Sequence, residues 1–161
     1  MGARSTVVIQ DGPSRVHLYG HWMACAAVDH AAHGLRSDRF DEPHYLARIV
    51  LCDMVAQDVR GETGFGVSGA LLASEFPVLV IDSRRPDPIA PGPHRGHADV
   101  WFEDEDGGRL SRVYSREEFL AIAGTLPGCP PDPAATEPTD HDCAYDRFLT
   151  GPAGADQVSV G

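Results

Sequence analysis

The chain has 161 residues, 13 basic and 24 acidic side chains, and a formal charge of -11. That length supports one hydrophobic core and one domain, while a pI near 5.0 argues against a phosphate-tracking surface, so nucleic acid is not an expected partner. The apolar runs fall far short of the ~20 residues needed to cross a bilayer, and the first residues lack the layout of a secretory signal, so a cytoplasmic setting with no membrane partner is expected.

Ser5–Gln10 is β-branched and apolar and ends at Asp11-Gly12-Pro13, a turn signal. Ser14–Trp22 alternates Val16 and Leu18 with His17, Tyr19 and His21, so the two runs predict an N-terminal β-hairpin. Met23–Leu35 is alanine-rich and reads as a helix closed near Gly34. Asp41-Glu42-Pro43 supplies an N-cap, acids in the first turn and proline at the first helical position. The helix that follows, to about Val59, leaves only a narrow polar stripe of Arg48, Asp53 and Gln57, which predicts a largely buried element. Gly64–Leu72 and Pro77–Asp82 read as a pair of strands, the second of them central because it is a continuous apolar run.

Arg84–Gly96 is a proline-rich loop. Ala98–Asp104 and Arg109–Tyr114 flank Glu105-Asp106-Gly107-Gly108 as a hairpin. Ser115 with Glu118 is a capping box that opens a short helix ending at Gly124. The order ββααββββα predicts an α+β fold: a mostly antiparallel sheet with helices packed on one face. Residues 1–124 form the expected domain. Residues 125–161 hold one arginine against six acids and six of the 13 prolines, too little apolar surface to offset chain entropy. That tail is expected to be mostly disordered and dispensable for folding. Tyr145–Leu149 is its one patch apolar enough to dock on the domain or on a partner.

Several groups of residues have chemical potential. His17, Tyr19 and His21 share a face at strand period, so they are candidates to line one pocket, hold one ion or act as acid and base. Asp29, His30 and His33 lie at helical spacing, with His44 as a further contributor. Gly64-Phe65-Gly66-Val67-Ser68-Gly69 has the letters of a dinucleotide loop, but a helix precedes it and a strand follows, so the glycines are read as turn or bulge positions. Glu103-Asp104-Glu105-Asp106 is an acidic run at a hairpin tip, read as a solvated turn in preference to a cation site. Cys129, His141 and Cys143 match no compact zinc framework, and four scattered cysteines make no disulfide framework. Arg84-Arg85 and Arg109–Arg116 are too few for a phosphate-tracking surface but sufficient for one small anion. No cofactor or metal is assigned on these letters. All 13 basic residues are arginine, a mark of origin in a GC-rich genome more than of mechanism.

The segment Arg4–Ile9 followed by Val16-His17-Leu18-Tyr19-Gly20-His21-Trp22 resembles the opening of small uncharacterised proteins of bacteriophage and actinobacterial genomes. In many of those the Y-x-H-W motif continues D-G-Y-P, where this chain has Met23-Ala24-Cys25. Pro43–Val50, Thr63–Val67 and Pro77–Asp82 extend the resemblance across residues 4–124. It implies a genomic setting and no reaction, and it singles out Tyr19, His21 and Trp22. The expected function is a non-enzymatic accessory module that binds a protein partner or a small ligand, with His17, Tyr19, His21 and Trp22 as the binding residues. The alternative is a metal-assisted or His-based hydrolase on the same face.

Overall fold

Gly12 adopts φ +56°, a conformation that side chains with a Cβ rarely take, and with Pro13 it closes a two-residue turn. The turn joins β1 (Arg4–Asp11) to β2 (Ser14–His21) in register from Arg4↔His21 to Asp11↔Ser14. In this computed structural model the described residues are 4–21, 26–56, 64–85, 96–126 and 144–149. Two helices follow the hairpin, α1 (Ala26–Leu35) and α2 (Pro43–Ala56). Pro43 opens α2, and the Glu42 carbonyl accepts the first helical bond from Leu46 N–H. Then come β3 (Phe65–Ser68), β4 (Val78–Arg84), β5 (His97–Glu103), the short β6 (Tyr114–Ser115), α3 (Arg116–Ala123) and α4 (Ala144–Leu149).

The described strands form one sheet in the order β3-β2-β1-β4-β5-β6. Every pairing is antiparallel except β1 with β4. The fold is α+β. β4 is central, as its apolar run requires, and six of its seven residues are buried. β3 does not pair with it; it lies two strands away, on the outer edge of β2.

Alternation along the strands separates two layers. Val7, Ile9, Leu18, Leu79, Ile81, Val100 and Phe102 face the helices and form the main core with Ala31, Leu35, Leu46, Val50, Met54 and Phe119. Val8, Val78, Val80 and Trp101 form a smaller cluster on the opposite face, with Leu71 packed against it. The capping box at Ser115 and Glu118 is present in full.

Besides the pairing of β3, two expectations change. α2 buries only Leu46, Val50 and Met54, spaced by one helical turn; Tyr45 and Cys52 are exposed. Its inner face meets α1 and the sheet, and the rest of its apolar surface borders a groove. Gly34 is not a terminal cap either. It is buried inside α1, where a Cβ would overlap the side chains of Leu46 and Val50, so glycine lets the two helices approach closely.

α4 docks on the helical side of the sheet. Tyr145 and Phe148 are 2% and 1% exposed and join Phe76, Phe102, Tyr114 and Phe119 in an aromatic cluster. The Tyr145 hydroxyl lies 2.7 Å from Ser5 Oγ, and the Tyr114 hydroxyl donates to the Phe148 carbonyl at 2.5 Å. Burial pushes the Tyr145 hydroxyl far above its ordinary range. A six-residue helix cannot hold itself together in water, so tertiary contacts hold α4 in place. Apart from Thr125 and Leu126, the rest of the acidic tail lies outside the described residues.

Candidate functional site

The strand period places Arg4, Thr6 and Val8 of β1 beside His21, Tyr19 and His17 of β2, all on the face away from the helices. His17, Tyr19 and His21 therefore line one surface. His17 and His21 nevertheless stand about 13 Å apart at ordinary strand rise, too far for both rings to hold one ion. Trp22 lies outside the described residues.

Each side chain of the stripe has a distinct setting. The Tyr19 ring crosses β3, and a Cβ on Gly66 would overlap it; that close approach explains the central glycine of the Gly64–Gly69 run. Arg4 Nη2 lies 3.4 Å from His21 Nε2, and Arg4 Nη1 donates to the Ala73 carbonyl at 3.4 Å. A guanidinium only donates, so His21 Nε2 takes the acceptor role. His17 is 8% exposed. Burial holds its imidazole below the ordinary value, and the charge of Arg15 acts in the same direction; the Ser68 backbone and Glu103 oppose them.

Among the described residues, five buried side-chain nitrogen and oxygen atoms have no hydrogen-bond partner. Three of them, Arg4 Nε, Thr6 Oγ1 and His17 Nδ1, belong to this stripe. Thr6 is fully buried. A buried polar group without a partner costs about 1–3 kcal/mol, so three on neighbouring positions mark a place where the fold is not optimised for its own stability. The segment after β3 runs across this face. Leu71 packs on the Val8 cluster, while Ser74 Oγ and Glu75 N–H both donate to the Arg4 carbonyl.

The neighbouring charges on the face are satisfied. Glu103 accepts two bonds from Arg15, at 2.8 and 3.0 Å, and one from Trp101 Nε1 at 2.8 Å. Burial raises the Glu103 carboxyl, but the Arg15 and Trp101 hydrogen bonds and the charges of Arg15 and Arg109 together hold it below its usual range. Asp82 takes both an Nε and an Nη bond from Arg84.

The remaining sequence candidates separate. His30 Nδ1 lies 2.7 Å from Asp53 Oδ2 and His33 Nε2 lies 3.9 Å from Asp53 Oδ1, so the carboxylate that joins them is Asp53 of α2, not Asp29. Asp53 was legible only as the acid in an apolar helix. Beside it lies an open groove of about 440 Å³ bordered by His33, Tyr45, Arg48, Ile49 and Cys52. In the acidic run, Asp104 Oδ1 accepts from the backbone of Asp106 and Gly108, with Gly107 at φ +83°, so the run builds its own turn. The C-terminal arginines are occupied: Arg85 pairs with Glu42, Arg112 with Glu118, Arg109 stacks on Trp101, and Arg116 donates to the Leu35 carbonyl. Among the described residues no group of three His, Cys, Asp or Glu is arranged to hold a metal ion. Cys129, His141 and Cys143 lie outside those residues, and no described helix is long and apolar enough to cross a membrane.

In comparisons with known proteins, no family model, curated protein or solved structure matches this chain.

Proposed function

We propose that this protein is a non-enzymatic binding module whose ligand is a small polar molecule seated on the helix-free face of the sheet, between β1 and β2. The observation that carries this reading is the triplet of buried, partnerless polar atoms on Arg4, Thr6 and His17. A fold that leaves such groups unpaired gives up stability, and a bound molecule that supplies the missing partners recovers it. Tyr19 and His21 belong to the same stripe, and to the motif that resembles small uncharacterised phage and actinobacterial proteins. Leu71 packs on the Val8 cluster, and Ala73, Ser74 and Glu75 bond to Arg4, so the segment after β3 borders the stripe. Binding is preferred to hydrolysis because His17 and His21 are held separately, His21 against a cation and His17 largely buried.

The test is thermal unfolding of the full chain, wild type and Thr6→Val, against a panel of hydroxy acids, sugars, amino acids and nucleosides. Valine keeps the shape of threonine without its hydroxyl. It is expected to stabilise the free protein by about 1 kcal/mol and to abolish the ligand-dependent rise in Tm. If Thr6→Val lowers stability, or leaves the ligand response intact, the stripe is not a binding site. A hydroxyl that only holds a buried water gives that second result.

A further inference from the structure

Arg4 differs from Arg15 and Arg84 of the same sheet face. Arg15 and Arg84 each meet a carboxylate through two nitrogens. The partners of Arg4 are a backbone carbonyl and an imidazole, both at 3.4 Å, and among the described residues no carboxylate pairs with it. Its Nε is buried and free. Two residues along the same strand face, Thr6 Oγ1 is also buried and free. A guanidinium with one open N–H beside an open hydroxyl is a two-donor site, and the two oxygens of a carboxylate match it. A phosphate dianion brings more oxygens and more charge, which two donors do not satisfy in a desolvated place.

His17 defines the other end. It stands opposite Ser68 on the outer strand, and its Nδ1 is buried without a partner. In the neutral ring with the proton on Nε2, Nδ1 is a bare acceptor. An acceptor repels an anion and requires a donor. His17 lies opposite Val8, two residues from Thr6, so it is a diagonal neighbour across the ladder, within the span of a molecule of a few carbon atoms.

Resting on the binding site argued above, we propose that the ligand is a small hydroxycarboxylate. Its carboxylate bridges Arg4 Nε and Thr6 Oγ1, and its hydroxyl donates to His17 Nδ1. The ladder thus reads charge at one end and a donor at the other.

The experiment is calorimetric titration of the full chain at neutral pH with 3-hydroxybutyrate, butyrate, inorganic phosphate and erythritol. 3-Hydroxybutyrate, with one carboxylate and one hydroxyl, is expected to bind saturably. Butyrate, which lacks the hydroxyl, is expected to bind at least tenfold more weakly, and phosphate and erythritol not to bind measurably. Arg4→Lys, which keeps the charge but removes Nε, and Thr6→Val should each weaken 3-hydroxybutyrate by tenfold or more. His17→Phe should bring 3-hydroxybutyrate down to the affinity of butyrate. Circular dichroism of each variant checks folding, and His17→Phe serves if Arg4→Lys does not fold. Phosphate or erythritol binding that depends on Thr6 while 3-hydroxybutyrate does not bind overturns the hydroxycarboxylate and leaves the site standing. Binding of 3-hydroxybutyrate that is indifferent to Arg4, Thr6 and His17 overturns the ligand assignment, and the absence of any Thr6-dependent probe overturns the site itself.

Discussion

His17 couples the protonation state of one buried ring to the stability of the sheet. Burial holds it below the ordinary value of 6.5, so the unfolded chain binds the extra proton first as the pH falls. In the window between the folded value and 6.5 the unfolded state carries more protons, and stability therefore rises with pH there. Urea unfolding at pH 7.5 and at mildly acidic pH should show stability lost on acidification, with a smaller loss in His17→Phe. An unchanged slope in the variant would show that His17 titrates alike in both states. The period-2 pattern was enough to place His17, Tyr19 and His21 on one face. Arg4 and Thr6 were not legible as site residues, because an arginine and a threonine in a strand look ordinary until their neighbours are known.

At the scale of elements, the local signals were strong where one short segment carried the whole instruction. Asp11-Gly12-Pro13 made the hairpin, Pro43 opened α2, and Ser115 with Glu118 capped α3. They were weaker where packing decided. The apolar letters of α2 predicted a largely buried helix with a narrow polar stripe, yet only Leu46, Val50 and Met54 are buried. The glycine run after α2 opens a strand, as its letters suggest, but the Tyr19 ring that lies against Gly66 there is set by packing alone. Gly66→Ala should therefore cost about 1–3 kcal/mol by crowding that ring. The cost should shrink in a Tyr19→Ala background, and a double-mutant cycle in urea measures the coupling. Additive effects would mean that Tyr19 does not rest on β3 in solution.

For the whole molecule, α4 alters what the acidic tail contributes. Tyr145 and Phe148 complete an aromatic cluster reaching from Phe76 on one side of the sheet to Phe119 of α3. Phe148→Ala should destabilise by about 3–5 kcal/mol, a large share of the 5–15 kcal/mol typical of a domain. A chain ending at Leu126 should lose at least as much, visible as a lower urea midpoint. A midpoint equal to that of the full chain would mean that α4 is not seated in solution and that residues 125–161 are dispensable for folding. Charge alone gave no hint of this, since the docking letters lie within a stretch dominated by acids and prolines.

The sequence by itself determined the class of fold, the order of elements as far as α3, the face of β2 that carries its polar aromatics and the main caps and turns, because each depends on a few adjacent residues and a fixed backbone period. Only the tertiary structure decided the strand order, the groove beside α2, the docking of α4 and the isolation of Arg4, Thr6 and His17 from any partner. These are properties of residues distant in the chain. A hydrogen-bond partner, or the lack of one, becomes defined only once packing has excluded water.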